Sequence, residues 1–149
     1  MPVIKRTIWV AVGNGAGYRI FSCRKVGGAM ELVHTATSPE ALKATSELGS
    51  DRPGRSQAAP GQARHGFENK ADWHEQAERD FAKTLGVLLN NRYREKKFDR
   101  LLVVAPAKTL GEVRTHLPAK DLGNNLIEMS KDLTNLSIHE LQRYLEKHF

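Results

Sequence analysis

Two short runs of apolar residues constrain the fold of this 149-residue chain more than any other feature of its sequence. Residues 7–12 read TIWVAV and residues 101–105 read LLVVA, so polar side chains are almost absent from both. A strand with one exposed face alternates apolar and polar residues, whereas a strand covered on both faces is apolar throughout. The two runs therefore predict a sheet with helices packed on its faces.

The first third of the chain predicts an antiparallel meander of three strands. Asn14-Gly15, a dipeptide typical of tight hairpins, separates the first strand from the second, and Gly27-Gly28 separates the second from the third. A short helix is predicted at residues 39–48. The three predicted strands span residues 7–12, 18–23 and 30–36.

The remainder of the chain predicts alternating helices and strands. Three positions, Asp72, Thr109 and Ser137, are each followed three residues later by Glu, the spacing of a helix capping box. Apolar residues recur every three or four positions from Trp73 to Leu89, which is typical of an amphipathic helix. The predicted elements are a helix at 72–89, a strand at 101–105, a helix at 109–117, a strand at 125–129 and a helix at 137–145.

This succession predicts an α/β fold with a ribonuclease H-like mixed sheet, in the order βββ(α)αβαβα, with helices on the faces. No repeat or long linker divides the chain, so residues 1–149 are expected to form one domain. A ribonuclease H-type nuclease holds two Mg²⁺ ions with carboxylates at neighbouring strand ends. Here Gly13-Asn14 follows the first strand and residues 101–105 contain no carboxylate. We therefore expect this architecture without metal chemistry, and no cofactor.

A segment rich in glycine, proline and arginine, at about residues 49–68, predicts a long loop. Six of the eighteen residues from Gly49 to Gly66 are Gly or Pro, which neither a helical nor a strand pattern accommodates. Loops of this length are usually functional or disordered, and a solvated connector is the alternative. Guanidinium groups match the planar geometry of phosphate and carboxylate, so the loop predicts an anionic partner. Its candidate binding residues are Arg52, Arg55, Arg64 and His65.

Two further segments carry candidate binding residues. The turn at 105–109 leads from a strand into a helix whose free N–H groups favour an anion, with Lys108 and Arg114 beside it. A plain strand-to-helix connection is the alternative. Residues 92–100 interleave five positive residues with Tyr93 and Phe98, as in a surface for RNA phosphates and bases. The alternative is a helix end with its aromatic residue in the core.

Charge and cysteine content limit the compartment and the partners. The formal net charge is +6, which favours polyanions. The only cysteine, Cys23, agrees with a reducing compartment, and the N-terminus lacks the pattern of a secretory signal. No apolar run is long enough to span a membrane. We therefore expect a cytoplasmic protein without a membrane partner.

Three sets of residues carry a resemblance to a known family: SDRPGRS at 50–56 with Arg64-His65, LVVAP at 102–106 with LGEVR at 110–114, and KDLT at 131–134. Together they resemble the bacterial host attachment protein family, and the resemblance covers nearly the whole length. The family is named for a phenotype, attachment to host cells, and its fold is similar to the middle domain of eukaryotic and archaeal peptide-chain release factors. That similarity would locate the long loop where those factors carry Gly-Gly-Gln. This chain has Pro60-Gly61-Gln62, without the first glycine.

Charge, loop and resemblance together favour a binding module for RNA or the ribosome that acts on host attachment indirectly. A small anionic molecule is a further candidate partner, and no oligomeric state is predicted. The alternative is a hydrolase of an ester or phosphoester, with His65 as acid or base and the loop arginines holding an oxyanion. Without nuclease carboxylates and an intact Gly-Gly-Gln, the sequence favours the binding module over the enzyme.

Overall fold

The computed structural model describes the backbone of residues 6–39 and 60–149 and the side chains of residues 6–39 and 73–149. It contains a five-stranded mixed sheet with helices, a mixed α/β fold. The strands are β1 (Ile8–Gly13), β2 (Gly17–Cys23), β3 (Met30–Thr37), β4 (Arg100–Ala105) and β5 (Leu126–Ser130). The helices are α1 (Pro60–Arg94), α2 (Ala107–Thr115), α3 (Ala119–Leu122) and α4 (Ile138–His148), with a 3₁₀ turn at Gly123–Asn125.

The strands lie in the order β3-β2-β1-β4-β5. The first three pair antiparallel, which confirms the predicted meander. The strand predicted at residues 101–105 is also confirmed, and it pairs in parallel with both of its neighbours, β1 and β5. The carboxyl ends of β1, β4 and β5 consequently meet at one edge of the sheet, which we call the carboxyl edge.

Both faces of the central strands are covered by helices. Trp9 and Ala11 point to the face that packs against α1 and α2, and Val10 and Val12 point to the opposite face, against α4. Every residue of β1 is buried, as its apolar sequence predicts. Each large apolar side chain that is fully buried in this way contributes about 1.5–3 kcal/mol to folding.

Helix α1 starts much earlier than the sequence predicts. It begins at Pro60 and not at Asp72, so residues 60–68 of the predicted loop are helical and that part of the prediction is wrong. Proline suits the first helical position because its φ is already helical and its missing N–H would have no partner there. Glycines such as Gly61 and Gly66 cost a helix only about 1 kcal/mol each relative to alanine. They weaken this segment without ending it.

Residues 40–59 lie outside the described part of the chain. The short helix predicted at residues 39–48 and the first part of the predicted loop, with Arg52 and Arg55, belong to this segment. Within the described part, no helix combines the length and the apolar character that crossing a lipid bilayer requires.

The two predicted caps of the later helices have different outcomes. At α4, Ser137 Oγ accepts from Glu140 N at 3.1 Å and Glu140 Oε1 accepts from Ser137 N at 3.0 Å, which confirms the capping box. The predicted start of α2 at Thr109 is wrong, because the helix begins at Ala107 with Pro106 as its N-cap. Thr109 is therefore buried inside the first turn of the helix and does not cap it.

Candidate functional site

A cleft opens at the carboxyl edge between α1 and the turns that follow β1, β4 and β5. Its volume is about 510 Å³, and an adjoining lobe of about 570 Å³ lies between α1 and α2. The chain leaves β1 toward β2 on one side and leaves β4 toward β5 on the other. Ligands of open α/β sheets bind at such a point, where neighbouring connections diverge. Both lobes are lined by His74, Glu78, Lys108 and Thr109.

Asn14 organises the turn that follows β1. Its side-chain Oδ1 accepts from the backbone N–H groups of Ala16 and Gly17, at 2.8 and 3.0 Å. Its Nδ2 donates to Asp132 Oδ2 at 3.2 Å and to Thr134 Oγ1 at 3.0 Å. The amide thus closes the tight turn between β1 and β2 and also joins it to the loop that follows β5.

Asp132 stabilises the loop after β5. Its Oδ1 accepts from the backbone N–H of Thr134 at 3.1 Å and from the Thr134 hydroxyl at 2.5 Å. Burial acts to raise the pKa of Asp132, but the hydrogen bonds from Thr134 and Asn14 outweigh it and hold the pKa below its ordinary value. The carboxylate is therefore ionised at neutral pH and caps its own loop.

Arg19 holds the same loop from β2, and the sequence prediction missed it. Its Nη2 donates to the carbonyl oxygens of Thr134 and Leu136, at 3.2 and 2.6 Å. Its guanidinium carbon lies 5.5 Å from the centroid of the Phe21 ring, within the range of a cation–π contact. The available signal was a positive charge inside an otherwise apolar strand.

The N-terminus of α2 faces the cleft without a side-chain cap. Pro106 occupies the N-cap position and makes no side-chain hydrogen bond to the helix. Among the residues that the structure describes, none accepts from the N–H groups of Ala107, Lys108 or Thr109. The unpaired N–H groups and the helix dipole give this end of α2 a positive potential.

Lys108 and the acidic residues of α1 lie around this helix end. Lys108 Nζ is 3.6 Å from Glu75 Oε1, and both side chains are largely exposed, at 91% and 62%. His74 Nε2 is 3.1 Å from Glu78 Oε1, and the Glu78 carboxylate packs against Gly15. The cleft therefore has a cationic side at α2 and a carboxylate-bearing side at α1.

The structure brings one of the predicted binding residues, Lys108, to the cleft. Arg114 lies in the last turn of α2, where its Nε is 2.8 Å from Glu128 Oε2, and it lines neither lobe. The backbone of Arg64 and His65 is part of α1, but their side chains lie outside the described part of the structure. Arg52 and Arg55 lie outside it entirely. These four residues stay predictions.

The aromatic residues near the end of α1 belong to the core. Phe98 is 2% exposed, and its ring centroid lies 5.0 Å from that of Trp9 and 5.6 Å from that of Tyr93. This arrangement confirms the helix-end interpretation of residues 92–100. Cys23 is likewise buried, and burial raises the pKa of its thiol, as expected for a packing residue.

No group of three or more histidine, cysteine, aspartate or glutamate side chains is positioned to hold a metal ion within the described ranges. The donors at the cleft include the N–H groups of α2, the Lys108 ammonium and the Arg79 guanidinium, and the acceptors include carboxylates such as that of Glu78. Such a set suits a ligand that carries both an anionic group and hydrogen-bond donors.

A comparison with protein families gives a match that covers most of the chain. Residues 9–145 match the model of a family described as protein required for attachment to host cells, and the match runs from β1 into α4. A search of the curated proteins finds no match to the chain. Since the family model covers nearly every element of the fold, the chain belongs to the family of proteins required for attachment to host cells.

Proposed function

We propose that this protein binds RNA, free or on the ribosome, at the carboxyl edge of its sheet. One observation carries the proposal: the chain leaves the sheet beside the cleft, and the helix that follows lines the cleft. β3 ends at Thr37, opposite Gly17, and Ser38 N donates to Ala16 O at 2.8 Å. The chain returns as α1, whose residues from His74 to Glu78 line the cleft. The segment that carries Arg52 and Arg55 thus follows the strand that ends beside the cleft and precedes the helix that lines the cleft.

The electrostatics of the described residues support an anionic partner. The uncapped N-terminus of α2 and the exposed ammonium of Lys108 face the cleft. Arg52 and Arg55 would add guanidinium groups, which bind phosphate oxygens in pairs. With a net charge of +6, the chain also attracts a polyanion over a longer range.

The proposal includes a ribonuclease H-like fold and a relation to the middle domain of peptide-chain release factors. An antiparallel meander whose first strand pairs in parallel with β4 supports it. Asn14 and Pro106 follow β1 and β4, at the strand ends where a two-metal nuclease carries carboxylates. RNA binding without strand cleavage is therefore the expected behaviour.

A cytoplasmic RNA-binding protein would affect attachment indirectly, through the synthesis of other proteins. The single cysteine of the sequence, Cys23, supports this compartment because it agrees with a reducing environment. Fractionation of cells that express a tagged protein tests it. Recovery of the tagged protein outside the cytoplasmic fraction would contradict this part of the proposal.

The main test measures the affinity for a labelled single-stranded RNA at low and high salt, by fluorescence anisotropy. We expect salt to weaken binding. We also expect Arg52→Ala/Arg55→Ala to make the slope of log K against log salt shallower by about 1.4, because each phosphate of a single strand that an arginine neutralises contributes about 0.7 to its magnitude. The matched control is Arg143→Ala/Lys147→Ala, which removes the same charge from exposed positions of α4.

The outcomes separate the parts of the proposal. Equal losses of RNA affinity in the two double variants would mean that the arginines act only through their contribution to the net charge. No measurable binding by the unmodified protein would overturn the RNA proposal. Sedimentation of the tagged protein with ribosomes, lost at high salt and in Arg52→Ala/Arg55→Ala, would identify the ribosome as the partner.

A further inference from the structure

We infer that the N-terminus of α2 is a binding site for the phosphate group of a sugar phosphate. The ligand is either a free ribose phosphate or the phosphorylated ribose at the 5′ end of an RNA. The second source rests on the proposed function, whereas the first does not. The site consists of the backbone N–H groups of residues 107–109, the Thr109 hydroxyl and the Lys108 ammonium.

The backbone of α2 supplies the first set of donors. Its nine residues begin directly after Pro106, which has no side-chain donor or acceptor to offer as a cap. Three consecutive N–H groups, those of residues 107–109, are without an acceptor in the part of the chain that the structure describes. A phosphate at such a helix end accepts several of these N–H groups at once and also interacts favourably with the helix dipole.

Thr109 supplies the second, independent observation. It is only 7% exposed and yet lines both lobes of the cleft. Its hydroxyl makes no hydrogen bond to any other described residue, unlike the hydroxyls of Thr84 and Thr115, which donate to carbonyl oxygens at 2.6 and 2.7 Å. In the described ranges no side-chain oxygen or nitrogen is both fully buried and unpaired, so this hydroxyl reaches the open volume of the cleft. A phosphate oxygen at the end of α2 would accept from this hydroxyl.

Lys108 supplies the positive charge. Its side chain is 91% exposed, and its Nζ lies 3.6 Å from Glu75 Oε1, a distance longer than a direct hydrogen bond. An exposed pair of this kind contributes little to stability. The ammonium can therefore exchange Glu75 for a phosphate at the helix end without disturbing the fold.

The opposite wall of the cleft selects the rest of the ligand. Glu78 and Asp132 line it, and their carboxylates accept hydrogen bonds but repel a second anionic group. A sugar matches this wall because its hydroxyls donate. The volume of about 510 Å³ falls within the range of small-molecule sites, so it accommodates one sugar phosphate.

The test is a calorimetric titration of the full chain with ribose 5-phosphate, with ribose and with inorganic phosphate. We expect ribose 5-phosphate to bind more tightly than inorganic phosphate, and ribose not to bind. Thr109→Val keeps the shape of the side chain and removes the hydroxyl, so the affinity should fall about tenfold. Thr115→Val is the matched control, because it makes the same change at the other end of α2.

Thr109→Ser retains the hydroxyl and should keep the affinity, which separates loss of the donor from loss of the fold. Unchanged affinity in Thr109→Val would overturn the inference, as would equal losses in Thr109→Val and Thr115→Val. Equal affinities for inorganic phosphate and ribose 5-phosphate would overturn the assignment of the sugar.

The RNA arm compares one oligoribonucleotide with a 5′-phosphate or a 5′-hydroxyl end. If ribose 5-phosphate binds through Thr109 and neither RNA binds, the proposed function fails while the site stands, with a free sugar phosphate as its ligand. If both RNAs bind equally and Thr109→Val changes nothing, the site fails while RNA binding stands. Preference for the 5′-phosphate, lost in Thr109→Val, supports both.

Discussion

The side-chain amide of Asn14 donates to Thr134 Oγ1 at 3.0 Å, although 120 positions in the sequence separate the two residues. β1 and β5 are not neighbours in the sheet, because β4 lies between them. The bond therefore crosses the carboxyl end of β4 and ties together the turns on either side of it. It fixes one wall of the cleft relative to the N-terminus of α2.

Replacing Asn14 by alanine should destabilise the protein by about 1–3 kcal/mol, because partners of the lost amide are left without it. These include the N–H groups of Ala16 and Gly17 and the carboxylate of Asp132. Urea denaturation of Asn14→Ala measures the loss. Asn135→Ala, at an exposed position of the adjoining loop, is the control, and its change should stay within about 0.5 kcal/mol. Similar losses in the two variants would contradict the role of Asn14.

The stability of the protein should depend on pH through Asp132. Its pKa in the folded protein lies below the ordinary value of 3.8, so the folded state favours the ionised form. This contribution is present above the unfolded value and disappears as the pH falls through the folded value. Asp132→Asn should therefore be less stable than the unmodified protein at about pH 6, with the difference shrinking at acidic pH. A difference that stays constant across a pH series of urea denaturations would contradict this prediction.

Two glycines allow the cost of backbone strain to be measured separately from the cost of a steric collision. Gly27 has φ +89°, and a Cβ there would lie 2.7 Å from Glu146 Cα in α4. Gly123 has φ +52°, and a Cβ there would have no other atom within 4 Å. Gly123 combines this φ with ψ −124°, a conformation that costs a non-glycine residue about 1–3 kcal/mol, so Gly123→Ala should show that loss alone. Gly27→Ala should lose more, because α4 must also move. Equal losses in urea denaturation would contradict the collision.

The elements that the sequence predicts well are those that depend on neighbouring residues. β1 and β4 are apolar throughout because both of their faces are buried, and the pattern within each strand is sufficient to recognise them. The start of α4 is predictable for the same reason. Ser137 and Glu140 satisfy each other within one turn, so the capping box is complete in the local sequence.

The starts of α1 and α2 depend on competition that local patterns do not resolve. Glycine and proline lower the helix propensity around residues 60–66, yet proline at the first position suits a helix. Thr109 has the spacing of a capping box. The helix nevertheless begins two residues earlier, directly after Pro106, and Thr109 is buried inside its first turn. The site residue Arg19 escaped prediction because its bond to Leu136 O spans 117 positions.

Lys108 and Arg114 offer a test of whether the cleft binds anions by position or by net charge. Both lie on α2, but Lys108 is at the N-terminus in a loose, exposed pair, whereas Arg114 Nε is 2.8 Å from the less exposed carboxylate of Glu128. Lys108→Ala should change the free energy of unfolding by less than about 0.5 kcal/mol, and Arg114→Ala should cost up to about 1 kcal/mol.

The losses of binding affinity should follow the reverse order of the losses of stability. Lys108→Ala should weaken ribose 5-phosphate binding about tenfold, and Arg114→Ala should leave it nearly unchanged, although each variant removes one positive charge from the same helix. Calorimetric titration of both variants measures the difference, and urea denaturation confirms that each remains folded. Equal losses of affinity would mean that the attraction is a property of the whole charged surface, because only a site at the helix N-terminus distinguishes these two positions.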